Sequence, residues 1–334
     1  MKVEEFDYYL PKELIARYPA VPRHSARLMV LRRDKGTTEH ATFWELPHFL
    51  DEGDLLVFND TKVIPARILG KKPSGGKVEI LLTEYVKPNL WKALVGGKKI
   101  KEGMVVEVGD GFGIRIREHV EGGKFLVELI GKDPLALLKK YGRVPLPPYL
   151  GREEESIDRE YYQSVFASKE GAVAAPTASL HFSKELLKKL SEKGIDFSFI
   201  TLHVSYGTFK PVKSERVEEH SVEAEYVSVP RETVEKIRKV KERGKRVVAV
   251  GTTVVRALES AHPRPFEGWT NLYIYPGYKF KVVDALITNF HLPRSSLLFL
   301  VCAFGGKEFV LRAYREAVSL KYRFYSYGDG MLIL

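Results

Sequence analysis

The stretch "GDLLVFNDTKVIPARIL", Gly53–Leu69, decides how this chain is divided. Its first half, Leu55–Phe58, is a short apolar run of the kind found in a strand buried on both faces of a parallel sheet. A polar turn follows at Asn59–Asp60, and from Ala66 the texture changes. Between Ala66 and Ile130 the segments "KVEILLTEY", "MVVEV", "FGIRIREHV" and "KFLVELI" alternate apolar and polar residues and are separated by turn signals such as "GDG" and "EGG". No helix-length periodic segment interrupts them. Short consecutive strands with tight turns predict an antiparallel meander closed into a small barrel. "DPLALLKKYG" then reads as a short helix and "RVPLPPYLG" as a stiff, extended connector.

The first texture returns after the connector. "SKELLKKLSEKG" has a Ser cap, helical spacing and a Gly stop. "IDFSFITLHV", "VVAVG", "KVVDALITNF" and "MLIL" read as strands. "RETVEKIRKVKERGKR", "TTVVRALES" with a threonine cap, "SSLLFLVCAFGG" and "KEFVLRAYREAVSLKY" read as helices. Alternating strands and helices imply an α/β fold, a three-layer, mostly parallel sheet covered on both faces. The expected organisation is a discontinuous α/β catalytic domain, residues 1–65 and 150–334, carrying an inserted antiparallel β-barrel domain, residues 66–149.

The chain has 334 residues, 44% of them hydrophobic, enough for a full core. Lys and Arg number 53 against 43 Asp and Glu, a net charge of +10 that suits either a solvated surface or a polyanionic partner. The single cysteine, Cys302, excludes an intrachain disulfide and sits in an apolar run as a buried, inert thiol. That run is too short to span a bilayer, and "MKVEEFDYYL" lacks a signal-peptide core. A cytoplasmic location, no membrane partner and a monomer are expected.

In an open α/β sheet, ligands bind at the carboxyl ends of the strands. Four polar words fall there: "NDT" with Asn59 and Asp60, "VSYGTF" with Tyr206, Thr208 and Phe209 just after His203, "GTT" with Gly251, Thr252 and Thr253, and "NFHLPRSS" with Asn289, His291 and Arg294. "GTT" is either a plain Gly turn with a Thr cap or a set of backbone N–H groups aimed at an anion. Tyr206 and Phe209 either pack beneath a turn or stack on a ring. "EEHSVEAEYV", with His220 and Glu223, is either an acid–base cluster or a charged strand edge. "GAVAAPTASLHF", Gly171–Phe182, is rich in small residues, as where a backbone must approach something closely. No histidine pair has zinc spacing, so no metal site is expected. The dinucleotide and P-loop fingerprints are missing.

Together "LLVFNDTKVIPARI", "GAVAAPTASLHF", "ITLHVSYGTFKPV", "EEHSVEAEY", "VVAVGTTVVRALES", "LYIYPGYKF", "ALITNFHLPRSSLLFLVCAFGG" and "YREAVSLKYRFYSYGDGMLI" closely resemble the S-adenosylmethionine:tRNA ribosyltransferase-isomerases of queuosine biosynthesis. The resemblance runs in order from end to end. One departure is Ser179, where the family word "PTAGLHF" has Gly. The resemblance implies transfer and isomerisation of the ribosyl part of S-adenosylmethionine onto 7-aminomethyl-7-deazaguanine at the tRNA wobble position. The product is epoxyqueuosine-tRNA, and adenine and methionine leave. It implies no cofactor, S-adenosylmethionine being a consumed substrate, and tRNA as the partner.

That chemistry selects His181, His203, His220, Glu223 and His291 as candidate acid–base residues. It places Ala175, Pro176 and Thr177 in the wall of the donor pocket, and makes Arg294 the candidate anion anchor. Two rival readings are a non-catalytic RNA-binding protein and an S-adenosylmethionine-dependent RNA methyltransferase. The methyltransferase would need a Gly-rich cofactor turn that this chain lacks.

Overall fold

The structure, a computed structural model, describes residues 1–205 and 211–334. In chain order, β1 (Arg27–Arg32), β2 (Thr37–Thr42) and β3 (Leu55–Asn59) are followed by the short β4 (Thr61–Val63). Next come β5 (Arg67–Lys71), β6 (Lys77–Lys87), β7 (Leu90–Gly96), β8 (Val105–Gly109), β9 (Phe112–Val120) and β10 (Lys124–Ile130), then α1 (Pro134–Tyr141) and α2 (Ser156–Tyr161). The remainder is β11 (Lys169–Ala172), α3 (Lys184–Glu192), β12 (Asp196–Leu202), β13 (Glu225–Val229), α4 (Arg231–Glu242), β14 (Val247–Val250), α5 (Thr252–Ala261), β15 (Phe266–Thr270), β16 (Ala285–Asn289), α6 (Ser296–Gly305), α7 (Lys307–Ser319) and β17 (Gly330–Ile333).

Among the described residues, nine strands form one sheet in the order β15-β13-β12-β3-β14-β16-β17-β1-β2. Its centre, β12-β3-β14-β16, is parallel throughout. The antiparallel pairs β12–β13, β13–β15, β16–β17 and β1–β2 extend it to both edges. Alternate residues of the apolar runs face opposite layers. Leu55, Val57, Val247 and Ala249 pack with Val254 and Leu258 of α5, Phe299 of α6 and Tyr314 of α7. Leu56, Phe58, Val248 and Val250 pack with Leu186 and Leu190 of α3 and with Phe43 and Leu46 of a 3-10 turn. Full burial on both faces is why these strands read as unbroken apolar runs.

β5 to β10 close into an antiparallel barrel, ordered β10-β7-β6-β5-β8-β9. The alternating positions Val78, Ile80 and Leu82 of β6 point inward against Trp91, Ile114 and Val127. The strand order departs from the simple meander that the spacing predicts. β7 pairs with β10, and the loop after β7 carries the chain across to β8, which closes on β5. Both connections to the barrel leave from one place, because β4 and β11 pair in parallel, with Thr61 opposite Lys169. Lys124 of β10 reaches back to Glu223, with 3.4 Å between Nζ and Oε2.

The helix caps follow the sequence, with one exception. The Oγ atoms of Ser183 and Ser295 accept from Leu186 N and Leu298 N at the starts of α3 and α6. α5 has no threonine cap. Its N-cap is Gly251, at φ 101° and ψ 149°, a conformation that disfavours any residue with a Cβ.

Candidate active site

Because β12, β3, β14 and β16 are parallel neighbours, their carboxyl ends lie in one row. The segments that leave β12, β14 and β16, with Ala175–Ala178, bring together words separated by more than a hundred residues in sequence. They border a cleft of about 1100 Å³. Ala175–Ala178, Gly251–Thr253, Thr288–Ser295 and Tyr325–Ser326 line it, and Tyr149, Lys2–Glu4 and parts of 211–216 complete the rim.

Of the residues selected from sequence, Ala175, Pro176, Thr177, Gly251, Thr252, Thr253, Asn289, His291 and Arg294 line this cleft. Asn59 stands behind it. Its Nδ2 donates to Leu202 O at 2.9 Å and its Oδ1 accepts from Leu202 N at 3.0 Å, while Nδ2 also reaches Thr253 Oγ1 at 3.4 Å. It thereby links the end of β3 to the first turn of α5. Asp60 accepts from Thr201 Oγ1 at 2.6 Å and lies outside the cleft lining.

His203 faces away from the cleft. Its Nδ1 shares a hydrogen bond with Thr61 Oγ1 at 2.8 Å and its ring stacks on Tyr226. His220 packs edge-on against Tyr273, and Glu223 pairs with Lys124. Tyr206, Thr208 and Phe209 lie outside the described residues.

His181 lies under the cleft floor, 4% exposed, stacked on Phe43 with centroids 4.1 Å apart. Asn289 Nδ2 is 3.1 Å from Tyr325 O, so that edge of the amide must be the donor. The same nitrogen therefore donates to His181 Nε2 at 3.2 Å, which leaves the histidine proton on Nδ1. Burial, then the positive charges of Arg323 and Arg23, push the His181 pKa down to about 3. Buried Arg23 also donates to Leu180 O at 3.2 Å and fixes the turn that presents the histidine.

Burial likewise holds His291 at about 3. Its Nε2 shares a hydrogen bond with Thr288 Oγ1 at 2.8 Å, its N donates to Tyr314 Oη at 3.1 Å, and its carbonyl accepts from Tyr8 Oη. Both imidazoles are neutral at pH 7.

Two polar features of the cleft stand unengaged among the described residues. The first turn of α5 borders it with no side-chain cap, so the N–H groups of Thr252 and Thr253 have no intrahelical acceptor. Asn289 Oδ1 is buried without a hydrogen-bond partner. Since β14 and β16 are paired, with Val250 opposite Ile287, these two features are neighbours. Arg294 sits on the rim, its side chain 59% exposed and 3.6 Å from Asp7.

Sequence reasoning missed Tyr149, the N-terminal rim and the place of Tyr325 in the cleft lining. Tyr149 and Tyr325 pack with centroids 4.1 Å apart on one side of the cleft. Tyr325 has a positive φ of 73°, which is rare outside glycine, and the only sequence signal for it was its place in the Gly-rich word "YSYGDG". The small residues of "GAVAAPTASLHF" divide between two tasks. Gly171 makes room for His203, since a Cβ there would lie 2.7 Å from His203 Nε2. Ala175 and Ala178 border the cleft. Ser179 is fully buried and is not among the positive-φ residues, so serine occupies that place without backbone strain.

Comparison with known proteins identifies the family of the chain. The family described as queuosine biosynthesis protein matches residues 3–333. The S-adenosylmethionine:tRNA ribosyltransferase-isomerase of Aquifex aeolicus (strain VF5) is 70% identical over 334 residues, covering 100% of both chains. That of Thermotoga maritima is 50% identical over 339 residues, again covering 100% of both. A crystal structure of S-adenosylmethionine tRNA ribosyltransferase from Thermotoga maritima superposes with a TM-score of 0.57 at 41% identity, over 99% of this chain and 100% of that one.

Proposed function

The chain belongs to the queuosine biosynthesis protein family, and from that membership we infer its reaction and the parts its residues play. The protein is a transferase that moves the ribosyl part of S-adenosylmethionine onto 7-aminomethyl-7-deazaguanine at the tRNA wobble position. It isomerises that group to give epoxyqueuosine-tRNA, with release of adenine and methionine. The observation that carries this reading is the end-to-end identity of 70% to an enzyme so named. The segments lining the cleft are among the words that carry the sequence resemblance.

The reaction asks four things of the site. The sulfonium acidifies the neighbouring 5′ carbon, adenine must depart, the methionine head must be held, and an RNA base must enter. We assign the methionine carboxylate to the uncapped start of α5, whose Thr252 and Thr253 N–H groups favour an anion. Asn289 Oδ1, the neighbouring acceptor, takes the methionine ammonium. The Tyr149–Tyr325 wall offers aromatic faces to the sulfonium. Burial, and for Tyr325 also the nearby Tyr149 phenol, raises both phenols far enough, against the opposing hydrogen bond of Ser326 on Tyr149, to leave them uncharged at neutral pH.

The backbone of Ala175–Thr177 meets the edge of adenine without an intervening side chain. His291, with Asn289 backed by His181, is the proton-handling group at the reacting centre. Arg294 on the rim holds an incoming tRNA phosphate. In this reading residues 1–65 and 150–334 form the catalytic domain and 66–149 an inserted barrel domain, supported by the paired exits β4 and β11. The enzyme works as a cytoplasmic monomer without a bound cofactor.

Incubation with tRNA carrying the aminomethyl base and S-adenosylmethionine tests the reaction. Free adenine is the expected product. S-adenosylhomocysteine would indicate a methyltransferase, and no product at all a passive RNA-binding protein.

A further inference from the structure

The barrel has a strongly basic end that the cleft does not use. The turn between β5 and β6, residues 71–77, reads "KKPSGGK", and the loop after β7, residues 97–102, reads "GKKIKE". These thirteen residues hold six lysines and one glutamate, Glu102, a net of +5 that is half of the chain's +10. The two segments meet in space, since Lys72 Nζ donates to Lys98 O at 2.6 Å. Lys71, Lys77, Lys98, Lys99 and Lys101 are exposed.

None of the six takes part in an ion pair among the described residues, whereas Arg67, Lys92, Arg115, Arg117, Lys124, Lys139 and Lys140 of the same region all do. The acids nearest the cluster are occupied or few. Glu102 accepts from His119 N at 3.0 Å, and Glu107 stands opposite Lys71 in the strand register. Unpaired like charges gathered on two loops repel one another, so the arrangement suits a partner that supplies the missing negative charge.

The position of the cluster is as informative as its charge. The chain enters the barrel at Arg67, which pairs with Glu153 beside the sheet domain. β5 runs outward from there to Lys71, about 13 Å on at about 3.3 Å per residue. β6 returns from Lys77 to the sheet domain, where Thr83 and Tyr85 border a small groove with His203, Tyr226 and Trp269. The lysines therefore lie at the outer end of the barrel, remote from the cleft.

We propose that this lysine cluster is a second tRNA contact, binding the phosphates of the base-paired anticodon stem while the wobble base occupies the cleft. The proposal rests on the tRNA reading above. An RNA duplex is recognised through its shape and its phosphates, because side chains cannot enter its deep, narrow major groove. Exposed lysines on two adjoining loops supply point charges for that purpose without reading sequence. An acidic protein would need apolar or shape-specific contacts in addition, and apart from Pro73, Ile100 and Glu102 the two loops are glycine, serine and lysine.

The test is a triple substitution, Lys77→Gln, Lys98→Gln and Lys101→Gln, at exposed positions with negative φ. Affinity for an unmodified tRNA transcript should fall about tenfold or more. The slope of log affinity against log salt should become shallower by about two, as two to three phosphate contacts are lost. Affinity for S-adenosylmethionine and for a seven-nucleotide single-stranded anticodon loop should stay unchanged, as should the melting temperature.

Unchanged tRNA affinity and salt slope would overturn the proposal. Equal weakening toward tRNA and the seven-nucleotide loop would overturn the assignment to the stem. Loss of binding to anionic vesicles with tRNA binding intact would transfer the cluster to a membrane. Adenine release by the unsubstituted protein tests the enzymatic reading separately, so failure of one is distinguishable from failure of the other.

Discussion

Asn289 Nδ2 donates to His181 Nε2 at 3.2 Å, so among the described residues the histidine, itself outside the cleft lining, is linked to the cleft through the asparagine. A pair linked in this way acts as one unit. Asn289→Ala is expected to lower the rate of adenine release on the order of a hundredfold, and His181→Ala about tenfold. The double substitution should be no slower than Asn289→Ala alone, because the second change removes an interaction already lost. Single-turnover adenine release, with melting temperatures for the three variants, checks this.

The buried imidazoles give the stability a distinctive pH dependence. His181 and His291 have native pKa values of about 3, against about 6.5 in an unfolded chain. Between these values the unfolded state binds protons that the native state refuses, so stability falls as the pH is lowered from about 6.5 toward 3. Above about 6.5 the contribution is constant. Carboxylates begin to titrate only below about 5, so a slope between pH 5 and 6.5 belongs to histidines, to which His203 and His220, also lowered by burial, add with the same sign. Thermal unfolding across that window should show a melting temperature that drops with pH, and the drop should be smaller in His181→Gln.

The start of α5 can be tested with proline. Thr252 is the first residue of the helix, where the N–H has no helical partner and proline is tolerated. Gly251 has an extended ψ of 149°, compatible with a following proline. Thr252→Pro should weaken S-adenosylmethionine binding about tenfold by removing one N–H from the carboxylate. Binding of 5′-methylthioadenosine, which lacks the amino-acid part, should be unchanged. Thr252→Ala keeps the N–H and should bind both ligands nearly as the unsubstituted protein does. Calorimetric titration of the two ligands distinguishes the cases.

Gly171 is the sharpest steric test. Its φ of 148° and the nearness of His203 both disfavour a side chain. Gly171→Ala should destabilise the protein by about 1–3 kcal/mol. Adding His203→Ala should recover the part due to the ring and leave the part due to φ. A thermal-unfolding double-mutant cycle measures both.

What was legible in the sequence was local. "LLVF" and "VVAV" announced strands buried on both faces because each residue faces an apolar layer, and Val78, Ile80 and Leu82 announced a one-sided barrel wall by alternation. The polar words after the central strands fell at one end of the sheet because parallel pairing aligns those ends. The antiparallel edges were less legible. β15 alternates only weakly, and Trp269 on it is 49% exposed. Tyr149 could not be placed from sequence, because its partner Tyr325 is 176 positions away, and contacts at that separation leave no local pattern. The role of Gly171 was hidden for the same reason, since His203, 32 positions on, is its neighbour in space and not along the chain.

The adjacency of β1 and β17 bears on how the protein is made. Leu28–Leu31 pair with Gly330–Ile333, so an early strand waits for a late one. While the ribosome works from one to the other, the β1–β2 ribbon has an open edge that the nascent chain cannot yet fill. The barrel, whose strands all lie between Arg67 and Ile130, can close long before that. The barrel strands are therefore all made before β17, which then fills the place between β16 and β1 like a keystone.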